Sequence, residues 1–232
     1  MKKGLLAILL SIASISAVHA EMKVEGNVGV TSDYRFRGIS QTQTNPTLQG
    51  GVDYSDTSGF YLGNWNSGVS KDLYVDSKGV ESDFYGGYRK SFGAVSVEAG
   101  LMRYNYWGAD TFDTTEFNVG AGLGPVSVKV NRSMTDYFGT ADSKGTMYYD
   151  LTVAQPVGRF TVSAHAGYTD VANQSTNDYA DYSVGVSTDV AGFAVGAKWY
   201  TNNMKDAYKT ANTVNGKALY KDGFVFTVSK AF

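Results

Sequence analysis

The last nine residues of the chain, Phe224-Val225-Phe226-Thr227-Val228-Ser229-Lys230-Ala231-Phe232, alternate with a period of two. Phe224, Phe226, Val228 and Phe232 share one parity; Val225, Thr227, Ser229 and Ala231 hold the other. That period places alternate side chains on opposite faces of a β-strand. The strand runs to the final residue and ends on an aromatic. Termini fray unless tied down, so a strand with Phe at its tip is unusual for a soluble domain.

The same period recurs along the chain. Twelve strands are predicted: Val24–Phe36, Thr47–Ser55, Gly59–Ser67, Gly79–Lys90, Ala94–Tyr106, Thr114–Leu123, Pro125–Thr135, Thr146–Gln155, Arg159–Thr169, Asp178–Thr188, Gly192–Thr201 and Leu219–Phe232. Alternation is cleanest where Val95, Val97, Ala99 and Leu101 oppose Ser96, Glu98 and Gly100, and where Phe160, Val162, Ala164, Ala166 and Tyr168 oppose Thr161, Ser163, His165 and Gly167. The third strand is ambiguous, with neither parity cleanly apolar. Connections alternate between tight and long. The tight ones are Asp56-Thr57-Ser58, Ser91-Phe92-Gly93, Gly124, Pro156-Val157-Gly158 and Asp189-Val190-Ala191. The long ones are Arg37–Pro46, Gly68–Lys78, Trp107–Asp113, Asp136–Gly145, Asp170–Asn177 and Asn202–Ala218. An even number of antiparallel strands with short turns at one end and long loops at the other is the pattern of a transmembrane β-barrel. It places both termini on the periplasmic side.

Residues 1–20 read as a signal peptide, leaving 21–232 as a single barrel domain. Lys2 and Lys3 precede an apolar run from Leu5 to Ile15, and Val18-His19-Ala20 supplies a small-residue cleavage site. The run is shorter than the roughly 20 residues a spanning helix needs. Only helices and closed barrels satisfy every backbone group in lipid, so membrane residence requires a barrel. A mean hydropathy of −0.22 suits one, since half its strand residues face water. The soluble alternative is a β-sandwich or soluble barrel with the apolar parity packed in a core. Against it, the apolar faces mix Val, Ala, Gly and aromatics, and Ile39 is the one Ile after the leader. The whole-chain net charge is −2, and cleavage would remove two Lys and no acid, which argues against a nucleic-acid partner. There are no cysteines, hence no disulfide framework or thiolate chemistry.

The closing strand resembles the C-terminal signature of bacterial outer-membrane barrels. The resemblance implies a last strand zipped to the first and a terminal Phe read by the barrel-insertion machinery. Lys230 departs from the usual apolar residue there, and a Lys at the membrane rim can snorkel into the headgroups. A second resemblance lies in Gly26 to Val69. That block contains Gly29-Val30-Thr31-Ser32-Asp33-Tyr34-Arg35-Phe36-Arg37-Gly38-Ile39-Ser40-Gln41, then Gln49-Gly50-Gly51-Val52-Asp53-Tyr54 and Ser58-Gly59-Phe60-Tyr61-Leu62-Gly63-Asn64-Trp65. It resembles the opening block of the TorF-type family of bacterial outer-membrane proteins, which implies an outer-membrane location and a porin role without an established substrate.

The functional expectation is a porin-like channel for passive diffusion of small hydrophilic solutes or ions. The competing one is a closed structural or adhesive barrel whose loops bind a partner. Parity assigns Asp33, Arg35, Arg37, Asp53, Glu81, Asp83, Arg89, Glu98, Glu116, Lys129, Asp150, His165, Asp181 and Lys198 to the pore lining. With Glu25 added the acids outnumber the bases, which suggests modest cation selectivity. Val24, Val28, Val30, Tyr34 and Phe36 take the lipid parity. A symmetric first hairpin brings Arg35 beside Asp53 as a register-fixing ion pair or a solute contact. Trp65, Trp107 and Trp199 are expected to form one membrane girdle, with Phe60, Phe92, Phe160, Phe193 and Phe232 forming the other. Arg103 and Arg132 fall on the lipid parity. They either snorkel, rotate inward on a bulge, or meet lipopolysaccharide phosphates. His165, with Ser163 and Asp150 on the same face, is read as lumen lining: an outer-membrane lipase would need its triad on the lipid side. No catalytic residue, metal or cofactor is expected. Partners are outer-membrane lipid and lipopolysaccharide, the insertion machinery and small solutes.

Overall fold

The computed structural model describes residues 22–204, Lys209 and 213–232. The expected signal peptide, and part of the last long loop, lie outside the described residues. Twelve antiparallel strands close into one barrel. They are β1 (Lys23–Thr31), β2 (Thr47–Ser55), β3 (Phe60–Gly68), β4 (Val80–Phe92), β5 (Val95–Tyr106), β6 (Thr114–Leu123), β7 (Val126–Ser133), β8 (Met147–Val157), β9 (Phe160–Asp170), β10 (Tyr179–Val190), β11 (Phe193–Asn202) and β12 (Gly223–Ala231). Each strand pairs with its neighbour in sequence, and β12 returns to β1 with Asn27 opposite Ala231 and Thr31 opposite Thr227. Phe232 extends the seam, exchanging two 2.9 Å backbone hydrogen bonds with Gly26. A Cβ at Gly26 would stand 2.6 Å from the Phe232 ring, so the bare glycine makes room for the terminal aromatic on the outer wall.

The alternation on the final strand has its expected sense. Phe224, Phe226, Val228 and Phe232 are exposed on the outside, while Val225 and Ser229 are buried within. The same holds around the barrel: Val97, Leu101, Phe117, Val128, Leu151, Val162, Val184 and Val195 are exposed, and Ser96, Glu98, Asn118, Ser127, Thr152, Thr161 and Ser183 are buried. An apolar outside around a polar inside is the arrangement lipid demands. Among the described residues no helix is long and apolar enough to cross a membrane.

Three of the five tight connections are shorter than expected, while those after Ser55 and Leu123 are each one residue longer. Phe92 pairs Val95, Val157 pairs Phe160 and Val190 pairs Phe193, so Phe92, Pro156, Val157, Asp189 and Val190 belong to strands. Two-residue hairpin turns require left-handed backbone. Gly93 (φ 63°), Gly158 (φ 62°) and the pair Ala191 (φ 54°) and Gly192 (φ 80°) supply it. The third strand resolves as well: Phe60 and Leu62 are exposed, while Trp65 and Ser67 are buried.

β1 ends at Thr31, five residues before the expected Phe36. Beyond it, Arg35–Phe36 pairs with Ile39–Ser40 in a hairpin of its own. Arg37 (φ 48°) and Gly38 (φ 77°) form its tip, both in the left-handed region that a two-residue turn needs. This hairpin folds into the barrel. Tyr34 is buried there, in a cluster with Trp65, Val69, Tyr74, Tyr104 and Tyr106 against which Phe36 also packs. The expected lipid-facing placement of Tyr34 and Phe36 is therefore corrected: their parity belongs to the inner hairpin, not to the wall.

Candidate functional site

The inner wall carries rows of cross-strand neighbours, and one row gathers much of the charge. Arg89 on β4 faces Glu98 on β5, Glu98 faces Gly120 on β6, and Gly120 faces Lys129 on β7. Lys129 then faces Asp150 on β8, Asp150 faces Gly167 on β9, and Gly167 faces Asp181 on β10. The two glycines allow the charges to reach one another. A Cβ at Gly120 would lie 3.1 Å from Glu98 Cγ; without it, Lys129 Nζ crosses a whole strand to Glu98 Oε1 at 2.7 Å. Arg89 Nη2 donates to the other oxygen of Glu98 at 2.9 Å. At Gly167, a Cβ would meet the Tyr148 hydroxyl at 2.1 Å. That hydroxyl instead donates to Asp181 Oδ2 at 3.1 Å and lies 3.0 Å from His165 Nε2. His165 is held between Asp150 Oδ2 at 3.3 Å and Asp181 Oδ1 at 3.1 Å.

Tyrosine over glycine recurs in a second row, where Asp53 faces Gly63 and Gly63 faces Tyr85. The Tyr85 ring crosses Gly63 and its hydroxyl donates to Asp53 at 2.6 Å. A Cβ at Gly63 would stand 2.2 Å from that ring and 2.6 Å from Asp53 Oδ1. Gly63→Val should therefore destabilise the barrel by about 1–3 kcal/mol through overpacking, measured as a lower temperature for loss of heat-modifiable gel mobility. The expected Arg35–Asp53 pair does not form. Arg35 left the wall with the hairpin, where its Nε donates to Asp33 at 2.5 Å and Nη1 to the Lys221 carbonyl at 2.8 Å.

The hairpin tip spans the lumen. Arg37 gives Nη1 and Nη2 to the two oxygens of Glu116 on β6, at 2.9 and 2.7 Å, and Nη1 also reaches the Tyr137 hydroxyl at 2.9 Å. Its Cζ lies 4.1 Å from the Tyr148 ring centroid, and its carbonyl accepts from the Tyr179 hydroxyl at 3.0 Å. Burial by itself would pull the Arg37 guanidinium down, but Glu116, with Tyr137 and Tyr104, holds it well above its ordinary value. Behind the tip, Asp33 accepts from Ser40 Oγ at 2.6 Å and Thr42 Oγ1 at 3.0 Å. The loop after β3 joins the same plug. Tyr74 donates to Gln41 and stacks on Tyr106 with centroids 4.2 Å apart. The last long loop meets it too, the Leu219 carbonyl accepting from Ser40 N at 3.0 Å.

Two expectations change, and one alternative left open is decided. Trp65, expected in a membrane girdle, is 8% exposed and points inward, edge-on to Tyr34 at 5.2 Å. Its parity follows Tyr61 and Ser67 rather than Leu62. By contrast Trp107, Phe60, Phe92, Phe160, Phe193 and Phe232 are exposed, and Trp199 packs edge-on to exposed Phe224. Secondly, the acid excess no longer predicts selectivity. Asp33, Glu81, Asp83, Glu98, Glu116 and Asp181 are buried, as are the Arg35 and Arg37 side chains, whereas Arg89 and Lys129 remain open to the lumen, so a count of lumen charges by parity is not a count of accessible ones. Thirdly, Arg103 and Arg132 stay on the outer face without a bulge, since pairing runs through both positions. Arg103 reaches the loop residue Asp113 at 2.8 Å, and Lys230 lies 5.1 Å from the outward Phe193 ring centroid. Lys198 lies across Gly185, whose Cβ would be 2.4 Å from Lys198 Cγ. The plug tyrosines Tyr104, Tyr106, Tyr137, Tyr148 and Tyr179 were not anticipated. For all but the loop residue Tyr137, the available signal was tyrosine on the polar parity of β5, β8 and β10.

The closed twelve-stranded barrel is similar in fold to the solved structures of two porins. The KdgM porin in complex with disordered oligogalacturonate superposes with a TM-score of 0.53 at 9% identity, covering 90% of this chain and 97% of that one. The NanC porin does so with a TM-score of 0.53 at 7% identity, covering 90% and 98%. At such identities the likeness concerns the fold alone. By sequence, residues 16–232 match the family described as "Bacterial protein of unknown function (Gcw_chp)", and the chain belongs to that family. The search of curated proteins returned no match.

Proposed function

We propose that this protein is an outer-membrane, porin-like channel for passive diffusion of small hydrophilic solutes or ions. The observation that carries the reading is the charged row from Arg89 to Asp181 on the inner wall of a barrel whose outer wall is apolar. Eight strands leave an interior filled by side chains and sixteen to eighteen leave an aqueous channel; twelve suits a narrow path. The resemblance of the opening block to TorF-type proteins supports the same role. On this reading residues 1–20 are a cleaved signal peptide and both termini and the tight turns are periplasmic. The long-loop end of the barrel, plug included, lies on the outer side of the membrane beside lipopolysaccharide, and the β12 strand is the handle for the insertion machinery. The His165 group is a polar ladder within the wall rather than a catalytic site: its two ring nitrogens already lie against Asp150, Asp181, Tyr148 and Thr152.

The inserted hairpin favours a second reading, a closed structural or adhesive barrel, because Arg37 bridges the lumen to Glu116. Planar-bilayer recording separates the two. Detergent-folded protein, verified by heat-modifiable mobility, should give discrete conductance steps. A correctly folded barrel that never conducts would discard the channel reading for the closed one.

A further inference from the structure

Glu98 is buried, its side chain 4% exposed, and two cations share it: Arg89 through Nε (3.1 Å) and Nη2 (2.9 Å), and Lys129 through Nζ (2.7 Å). One carboxylate neutralises one of them. The Arg89–Glu98–Lys129 cluster therefore holds two cations against one carboxylate near the tight-turn ends of β4 and β7, while the other acids of the row, Asp150 and Asp181, lie further round the wall. The surplus is accessible, because the Arg89 and Lys129 side chains are 44% and 30% exposed. The guanidinium is also fixed in orientation, with Cζ 4.9 Å from the Tyr61 ring centroid. The next acid beyond Lys129 is its cross-strand neighbour Asp150, whose oxygens turn to His165 and to the Thr152 hydroxyl at 2.9 Å, while Lys129 Nζ turns to Glu98. A fixed guanidinium edge beside an ammonium matches the oxygens of a carboxylate, sulfate or phosphate.

We infer that Arg89 and Lys129, oriented by Glu98, form a lumenal oxyanion-binding subsite at the tight-turn mouth of the barrel. As a step in transport it rests on the channel reading; as a binding site it does not. Its occupant is an acidic solute, whose anionic group would exchange water for Arg89 and Lys129 while Glu98 keeps both in place. Gly120 is part of the construction, since a side chain there would block the reach of Lys129 to Glu98.

Isothermal titration of the full detergent-folded barrel tests this, with potassium sulfate and potassium citrate as probes and ionic strength held with chloride. Wild type should bind both saturably. Glu98→Gln, which keeps both cations and removes their internal counter-charge, should bind about tenfold more tightly. The neutral triple variant R89Q/E98Q/K129Q should bind at least about tenfold more weakly, with its fold checked by heat-modifiable mobility. Absence of binding to wild type, or equal binding by the triple variant, overturns the subsite. If wild type binds but does not conduct in bilayers, the subsite stands and only the channel reading falls.

Discussion

Arg37→Ala is expected to release the inner hairpin while the barrel stays closed. The substitution removes both bonds to Glu116, which is 1% exposed and would be left as a buried carboxylate without its cation. Breaking a buried pair from one side costs about 3–5 kcal/mol, and here the cost falls on the docked state of residues 32–46 rather than on the strand ladders. Hydrogen exchange of that segment should quicken by orders of magnitude while exchange in β4 to β10 is unchanged. On the channel reading unit conductance should rise in the same variant. The pair variant R37M/E116L should recover most of the docking, because replacing both partners leaves no stranded charge. Gly38→Ala should act in the same direction by about 1–2 kcal/mol. Its φ of 77° disfavours a side chain, and a Cβ there would lie 2.8 Å from Asp181 Cβ. Unchanged protection in Arg37→Ala would mean that the Asp33 network and the aromatic cluster hold the hairpin unaided.

The second large effect concerns which side of the wall meets oil. Leu151, near the middle of β8, is exposed on the outer face between Val128 and Ala166. Leu151→Arg should destabilise the folded state in lipid by about 2–4 kcal/mol, the cost of Arg near the bilayer midplane. The measurement is reversible urea unfolding in lipid vesicles, read by the heat-modifiable gel shift. One residue before it, Asp150 carries a native charge on the inner face without such a penalty, because it has His165 and Thr152 as partners. A neutral outcome for Leu151→Arg would mean that this face is not in contact with lipid.

Much of the architecture was legible from residue order. Period two in stretches such as Val95 to Leu101 names a strand and its two faces without knowledge of its partners. The alternation of tight and long links orders those strands as an antiparallel meander. The rows themselves were half legible. Parity put Arg89, Glu98, Lys129, Asp150 and Asp181 on one side of the sheet, but which of them are neighbours depends on the register of every strand between them, and register shifts with the two-residue turns at Gly93, Gly158 and Ala191-Gly192. The unremarkable glycines at 63, 120 and 167 gained a role only once the side chains crossing them were placed.

Alternation alone thus determined the strands, their order and the apolar outer face of the wall, because those follow from local geometry and from the cost of polar groups in lipid. The tertiary structure decided the contents of the lumen. Tyr34, Phe36 and Trp65 carry the same aromatic character as the outward residues, and a period of two cannot tell an aromatic meant for lipid from one meant for a plug. Arg37 meets Glu116 across 79 residues of chain, a distance that vanishes only when β12 closes on β1 and the first long loop turns inward. Contacts made through a closed ring depend on its circumference and stagger, and neither is written in any short stretch of sequence.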